Sequence, residues 1–278
     1  MKIHVINTGN FKLDGGAMFG VVPKTLWSKT NPADENNMCS WAMRCLLIEN
    51  KNEKILIDTG IGNKQSEKFF NFFYLHGKDS LIGSLKKIKI TPEEITHVFF
   101  THLHFDHCGG AIIKKNKTLK LLFSNARHIS NKMHWELANN PNKREKASFL
   151  KENFSLISKK NKLDFIKEGP FLKDLDVKFF HGHTAGQMIP IINYNSQKVV
   201  FMADLLPSIG HIPLPYVMGY DTQPLITLKE KKQFLEEAAE EKYILFLQHD
   251  YVYECCTVKK GNKGIELDKC GKLCDFLN

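Results

Sequence analysis

The chain has 278 residues, 42% hydrophobic and 25% charged, which is the make-up of an ordinary globular protein able to bury a substantial core. Its formal charge of +9 comes from 36 Lys and only three Arg, Arg44, Arg127 and Arg144; arginine is the residue of bidentate phosphate recognition, so no nucleic-acid partner is expected. No run reaches the length of a membrane span or a signal-peptide core, and an odd count of seven cysteines fits reduced thiols, so a cytoplasmic protein without a membrane partner is expected.

Residues 3–7 alternate as a strand, and Gly9-Asn10 and Leu13-Asp14-Gly15-Gly16 read as loop. Ala17 to Trp27 is apolar without alternation and carries Phe19, Val21, Val22, Pro23, Leu26 and Trp27, the mark of a core-packing loop. Arg44–Glu49 and Lys54–Asp58 form two strands joined by the hairpin signal Asn50-Lys51-Asn52-Glu53. Gln65–Tyr74, with Phe69, Phe70, Phe72 and Phe73, is either a helix or an aromatic lid. Leu81, Ile82, Leu85 and Ile88 have helical spacing. Thr91-Pro92-Glu93-Glu94 is a capping signature that starts a short helix. A strand over 96–100 follows.

That strand runs into Thr101-His102-Leu103-His104-Phe105-Asp106-His107-Cys108-Gly109-Gly110. His102 and His104, two apart, point to the same side as the strand ends. Asp106 and His107 can turn toward a second point, and Gly109-Gly110 permits a tight turn. Imidazole plus carboxylate suits zinc, and also iron, manganese or cobalt. Four ligands of two spacings suggest two ions. Cys108 reads as a small buried hydrophobe.

Beyond it, Leu119–Phe123 reads as a strand and Ser130–Leu156 as a polar, helical insertion; His128, His134 and Trp135 divide evenly between pocket and surface roles. Val177–Phe180 is a strand leading to His181-Gly182-His183. Met188–Tyr194 and Lys198–Ala203 form a hairpin around Asn195-Ser196-Gln197. Leu228–Lys242 is an amphipathic helix with Phe234, Leu235 and Ala238 on one face, and Tyr243–Leu247 is the next strand. From Thr257 the chain is Lys- and Gly-rich and reads as a tail, with Cys270 and Cys274 as two surface thiols. No linker or repeat appears, so a single domain over 1–278 is expected.

His-x-His-x-Asp-His over 102–107 resembles the signature of the metallo-β-lactamase-fold hydrolases. The other motifs follow in order: Leu56-Ile57-Asp58-Thr59-Gly60, His181-Gly182-His183-Thr184-Ala185-Gly186, Phe201-Met202-Ala203-Asp204 and Phe246-Leu247-Gln248-His249-Asp250. The resemblance implies an α/β chain folded as a four-layer αββα sandwich. It implies that His102, His104 and His183 hold one divalent ion, that Asp106, His107 and His249 hold the second, and that Asp204 bridges them. Zinc is the expected metal. The implied reaction is attack by a metal-bridging hydroxide on a lactone, carboxylic ester or phosphoester, with Asp106 orienting the nucleophile and taking its proton. Asp58 is implied as an outer support that orients a histidine, His181 as a supporting group, and the apolar 17–27 loop as one wall of the pocket.

Within the superfamily the ligand spacing is similar to that of the acyl-homoserine lactonases and organophosphate hydrolases. Such lactonases carry a tyrosine three residues after the bridging aspartate; here that residue is Pro207. His211 and Tyr220 are the replacement candidates for a donor near the substrate oxygen. The expected partner is a small-molecule substrate, and the apolar loop and Phe69–Phe73 allow either an apolar substrate or a homodimer surface. The alternatives are an iron-dependent thiol or persulfide oxidoreductase of the same fold, and a phosphodiesterase or nuclease.

Overall fold

The computed structural model describes residues 1–262 and 264–277. Two units emerge, one made of Met1–Phe11 and Met43–Lys167, the other of Lys12–Ala42 and Glu168–Asn278. The strands, in chain order, are β1 (Lys2–Asp14), β2 (Met38–Glu49), β3 (Lys54–Ile57), β4 (His97–Phe99), β5 (Ile112–Lys115), β6 (Thr118–Leu121), β7 (Arg127–Ser130), β8 (Leu163–Phe165), β9 (Gly169–Leu172), β10 (Leu175–Phe180), β11 (Gln187–Tyr194), β12 (Gln197–Phe201), β13 (Ile244–Phe246), β14 (Cys255–Gly261) and β15 (Gly264–Gly271).

One sheet has the order β1-β2-β3-β4-β7-β8. The β2–β3 hairpin pairs Glu49 with Lys54 and Leu46 with Ile57, as the turn residues predict. From β3 onward the neighbours β4, β7 and β8 all run parallel. The apolar runs of β3 and β4 are buried on both faces, as in a covered parallel sheet. Ile6, Leu47, Leu56, Val98 and Phe100 pack there with Leu85 of the helix Leu81–Lys87 and with Phe154 and Ile157. Because β3, β4 and β7 are parallel, their carboxyl ends share one edge, and Asp58, Thr101 and Asn131 follow those ends.

The second sheet has the order β15-β14-β13-β12-β11-β10-β9. β10 and β12 each pair antiparallel with β11, and β13 pairs parallel with β12. So β10, β12 and β13 point the same way, and one edge receives three carboxyl ends, the usual place for a site in a sheet of this kind. The helix Pro224–Glu240 buries Phe234, Leu235 and Ala238, with Phe234 set edge-on to Phe180 at 5.7 Å. Each unit is thus a sheet with helices, the αβ half that an αββα sandwich requires. Among the described residues no helix is long and apolar enough to cross a membrane.

Several expectations are corrected. β1 continues to Asp14 instead of turning at Gly9, because Asn10 exchanges two backbone hydrogen bonds with His76 at 2.9 and 3.0 Å. The 17–27 loop contains two short helices, Gly15–Phe19 and Lys24–Trp27. Phe19, stacked on Trp27 at 5.2 Å, is core, whereas Val21 is 96% exposed. Thr91–Glu94 forms its capping box on a single 3-10 turn. Of the two readings of 65–74, the helix is the one that forms, as Glu67–Asn71 with no buried residue of its own. β5 pairs with β6 as a separate ribbon, and β7 occupies 127–130. The presumed tail forms the hairpin β14–β15, with Cys270 on β15 and Cys274 in the 3-10 turn Leu273–Asp275 beyond it; both carry free thiols, and Cys274 is exposed.

Candidate metal centre

In the first unit the donors come from one stretch. β4 ends at Phe99, and the chain is tied down behind it. Asp58, with φ of 58° in the left-handed region, accepts from Thr101 N at 2.8 Å and Thr101 Oγ1 at 2.7 Å. Its Oδ2 also lies 3.0 Å from His107 Nδ1, as the expected outer support should. Thr59 N donates to the His107 carbonyl at 2.7 Å, and Gly110 N to the Gly60 carbonyl at 3.0 Å. Gly109 and Gly110 serve this approach instead of an unusual turn: Gly109 has φ of −60°, but a Cβ there would stand 2.1 Å from the Ile61 carbonyl oxygen. Cys108 is a buried packing residue whose thiol donates to the Leu103 carbonyl at 3.3 Å, and burial pushes it up to about 12.

On this frame His102, His104, Asp106 and His107 are all buried. His102 Nε2 and His104 Nδ1 face each other at 3.1 Å. Asp106 Oδ2 lies 3.5 Å from His107 Nε2. His102 turns its other nitrogen, Nδ1, to Thr101 Oγ1 at 3.1 Å.

In the second unit the donors come from three strand ends. His183 follows β10, Asp204 follows β12 and His249 follows β13. Asp204 Oδ2 is 3.1 Å from His183 Nε2, and Asp204 Oδ1 is 3.0 Å from His249 Nε2. One carboxylate thus offers a separate oxygen to each imidazole. The residue before it, Ala203, has φ of 42°, a left-handed backbone that a side chain tolerates only where the surroundings enforce it. His183 Nδ1 is held by Asp221 Oδ1 at 2.8 Å, and His249 Nδ1 by the Ala42 carbonyl at 2.8 Å. Burial alone would lower the proton affinity of His183, but Asp204 and Asp221 outweigh it and raise the group to about 10. That position attracts positive charge.

The donors fit metal ions. Ligand atoms at 2.0–2.1 Å from a tetrahedral ion stand about 3.3 Å apart. The donor pairs within each unit lie at 3.0–3.5 Å. His102, His107, His183 and His249 turn one nitrogen inward and hold the other against a protein oxygen, the outer support that metal-ligating imidazoles have.

The other candidates have the following surroundings. His211 is buried and stacked on Phe19 at 4.4 Å; Nδ1 meets Ser208 Oγ at 2.8 Å and Nε2 the Met18 carbonyl at 2.9 Å, which is a packing arrangement. Burial lowers it to about 3. Tyr220 is 42% exposed, one residue before Asp221. His134 accepts from Leu103 N through Nε2 at 2.8 Å, and His128 is buried beside Phe100. His181 Nδ1 accepts from Gly186 N at 3.2 Å, a supporting bond.

Three supports carry no sequence motif: Asp221, the Ala42 carbonyl and Glu230. Glu230 accepts from His181 N at 2.8 Å and Gly182 N at 2.9 Å, bracing the His183 loop from the helix Pro224–Glu240. The next residue of that helix, Lys231, is buried, and its Nζ donates to the carbonyls of His211, Pro213 and Tyr216 at 3.0, 3.2 and 2.7 Å.

Comparison with known proteins gives the family. The model of the metallo-beta-lactamase superfamily matches residues 44–249. An N-acyl homoserine lactonase of Bacillus sp is 26% identical over 269 residues, covering 91% of this chain and 94% of the relative. A solved structure of a probable metal-dependent hydrolase from Staphylococcus aureus has a TM-score of 0.88 at 33% identity, covering 97% of this chain and 96% of that one. AidC, a dizinc quorum-quenching lactonase, has a TM-score of 0.80 at 24% identity, covering 96% and 93%. The chain belongs to the metallo-beta-lactamase superfamily and is a hydrolase with that fold.

Proposed function

We propose that this superfamily member is a dinuclear metallo-hydrolase that opens a lactone or carboxylic ester of a small, partly apolar molecule. The observation that carries the reading is Asp204, whose two oxygens each meet a different imidazole, His183 at 3.1 Å and His249 at 3.0 Å, as a carboxylate shared by two ions would. By the motif pattern of the family, His102, His104 and His183 would hold one ion, and Asp106, His107 and His249 the other. Imidazole and carboxylate donors favour zinc. When bound, two such ions supply Lewis acidity, making water acidic near neutral pH and polarising the substrate carbonyl.

The chain's own residues do the rest. Asp106 orients the attacking water and takes its proton. Asp58, Asp221 and the Ala42 carbonyl keep His107, His183 and His249 in one orientation each. Pro207 offers no proton where a tyrosine would, so the departing oxygen is protonated by another group or by water. The lactone or ester class is supported by the curated N-acyl homoserine lactonase relatives. An apolar portion of the substrate rests on the resemblance, which makes the 17–27 loop, with its exposed Val21 and Leu26, one wall of the pocket.

The test is elemental analysis of the purified chain, together with turnover of a panel of lactones, aryl esters, thioesters and phosphotriesters. Two zinc-type ions per chain with lactone or ester hydrolysis is the expected result. One iron per chain with no hydrolysis and with thiol oxidation would overturn the reading.

A further inference from the structure

Residues 131–149 grip three consecutive residues of the ligand loop. His134 Nε2 accepts from Leu103 N at 2.8 Å, and the Ser148 carbonyl accepts from Phe105 N at 3.0 Å. Between them, Glu145 Oε2 lies 3.7 Å from His104 Nε2. Phe149 closes the group, its ring 4.8 Å from that of His104 and 5.6 Å from that of His134. This insertion is therefore a clamp on the ligand loop.

Glu145 is only 4% exposed, and a carboxylate taken out of water needs a compensating partner. Its placement is built. Asn142 Oδ1 accepts from Arg144 N at 2.9 Å and Glu145 N at 3.1 Å, while Asn142 Nδ2 donates to Glu145 Oε1 at 2.7 Å. One side chain thus shapes the turn and holds one carboxylate oxygen, leaving Oε2 toward His104.

His104 differs from its neighbours in which nitrogen turns inward. His102, His183 and His249 turn Nε2 toward the other donors and fix Nδ1. His104 turns Nδ1 toward His102, so its outer nitrogen is Nε2, farther along the ring and within reach of a residue from the insertion. We propose that Glu145 is a positioning residue for His104 and, given the two-metal reading, sets the affinity of the ion that His104 helps to hold. The distance of 3.7 Å is an ion-pair contact, longer than a made hydrogen bond. A cation on Nδ1 would leave the ring proton on Nε2, facing this carboxylate.

The experiment uses the full-length chain, stripped with a chelator and titrated with Zn(II) against a chromophoric competitor. Co(II) is titrated in parallel, with its visible spectrum recorded. Glu145→Ala should weaken one of the two ions about 10–100-fold, the usual effect of losing such a support, and change the Co(II) spectrum of that site. Glu145→Gln, whose amide oxygen still accepts an N–H, should recover part of the affinity, and Asn142→Ala should show a smaller loss. If Glu145→Ala does not fold, the other two variants carry the test. Two ions bound by all variants as tightly as by wild type would overturn the role of Glu145 alone. So would equal weakening of both ions with a lower melting temperature of the stripped chain, the mark of a purely structural residue. A wild-type chain that binds neither Zn(II) nor Co(II) would overturn this inference together with the two-metal reading.

Discussion

The two units supply their donors in opposite ways. The first places four on one stretch, His102 to His107, braced from behind by Asp58, Thr59 and the Gly109–Gly110 contact. The second places three, His183, Asp204 and His249, after three strands whose common direction is fixed by a sheet. A contiguous set depends on a local buttress, whereas a dispersed set depends on strand register. The first should therefore couple metal binding to local stability, and the second should let the two be separated.

The largest expected break in this contrast is Asp204→Ala, which removes the carboxylate shared by His183 and His249. Metal content by elemental analysis and hydrolytic activity should both fall by more than ~100-fold, exceeding the loss from an outer partner. Retention of two ions by that variant would sink the bridging assignment.

The next comparison sets Asp58→Ala against Asp221→Ala. Each should cost about 10–100-fold in metal affinity, measured by chelator competition. Asp58 also accepts two hydrogen bonds from Thr101, so its variant should in addition melt lower in the stripped state. Equal melting temperatures for the two variants would remove the distinction between a buttressed loop and a register-built edge.

The smallest effect sharpens the contrast through one buried histidine in each unit. Burial lowers His128 to about 4 and His211 to about 3 from an ordinary value of 6.5. Both are neutral when folded, while the unfolded chain takes up protons below pH 6.5. Their stability is thus complete above pH 6.5 and is lost as pH falls toward 4 for His128 and 3 for His211, by up to about 1.4 kcal/mol per pH unit each. Thermal melts against pH should show that slope reduced in His128→Leu and in His211→Leu. At pH 7.5 the two should part. His211→Leu leaves Ser208 and the Met18 carbonyl without their partner, a loss of about 1–3 kcal/mol. The ring nitrogens of His128 have no hydrogen-bond partner among the described residues, so His128→Leu should be neutral or stabilising.

The same contrast explains what could be read from the sequence. The donors of the first unit are legible because they are adjacent and follow an apolar strand. Those of the second are legible through the motifs around them. Asp58 is legible because it ends a strand next to Thr-Gly. Asp221 and Glu145 are not, because each acts through a histidine 38 and 41 residues away, across a loop whose path no local pattern encodes. The Ala42 carbonyl is invisible for a simpler reason: any residue would supply it. β15 escaped because five of its eight positions are exposed, so it lacks the alternation of a half-buried strand. β1 was cut short because Gly9 and Gly15-Gly16 signal a turn locally, while its pairing with His76 is made at long range.

Lys231 holds the 211–216 segment through backbone oxygens of His211, Pro213 and Tyr216. A grip on carbonyls is indifferent to which side chains those residues carry. In an evolving lineage this segment could therefore exchange side chains that make no core contact while keeping its path, provided the lysine and the spacing of the three oxygens survive. Libraries that vary the half-buried Leu214 and retain Lys231 should consequently yield more folded variants than libraries of equal size that vary position 231.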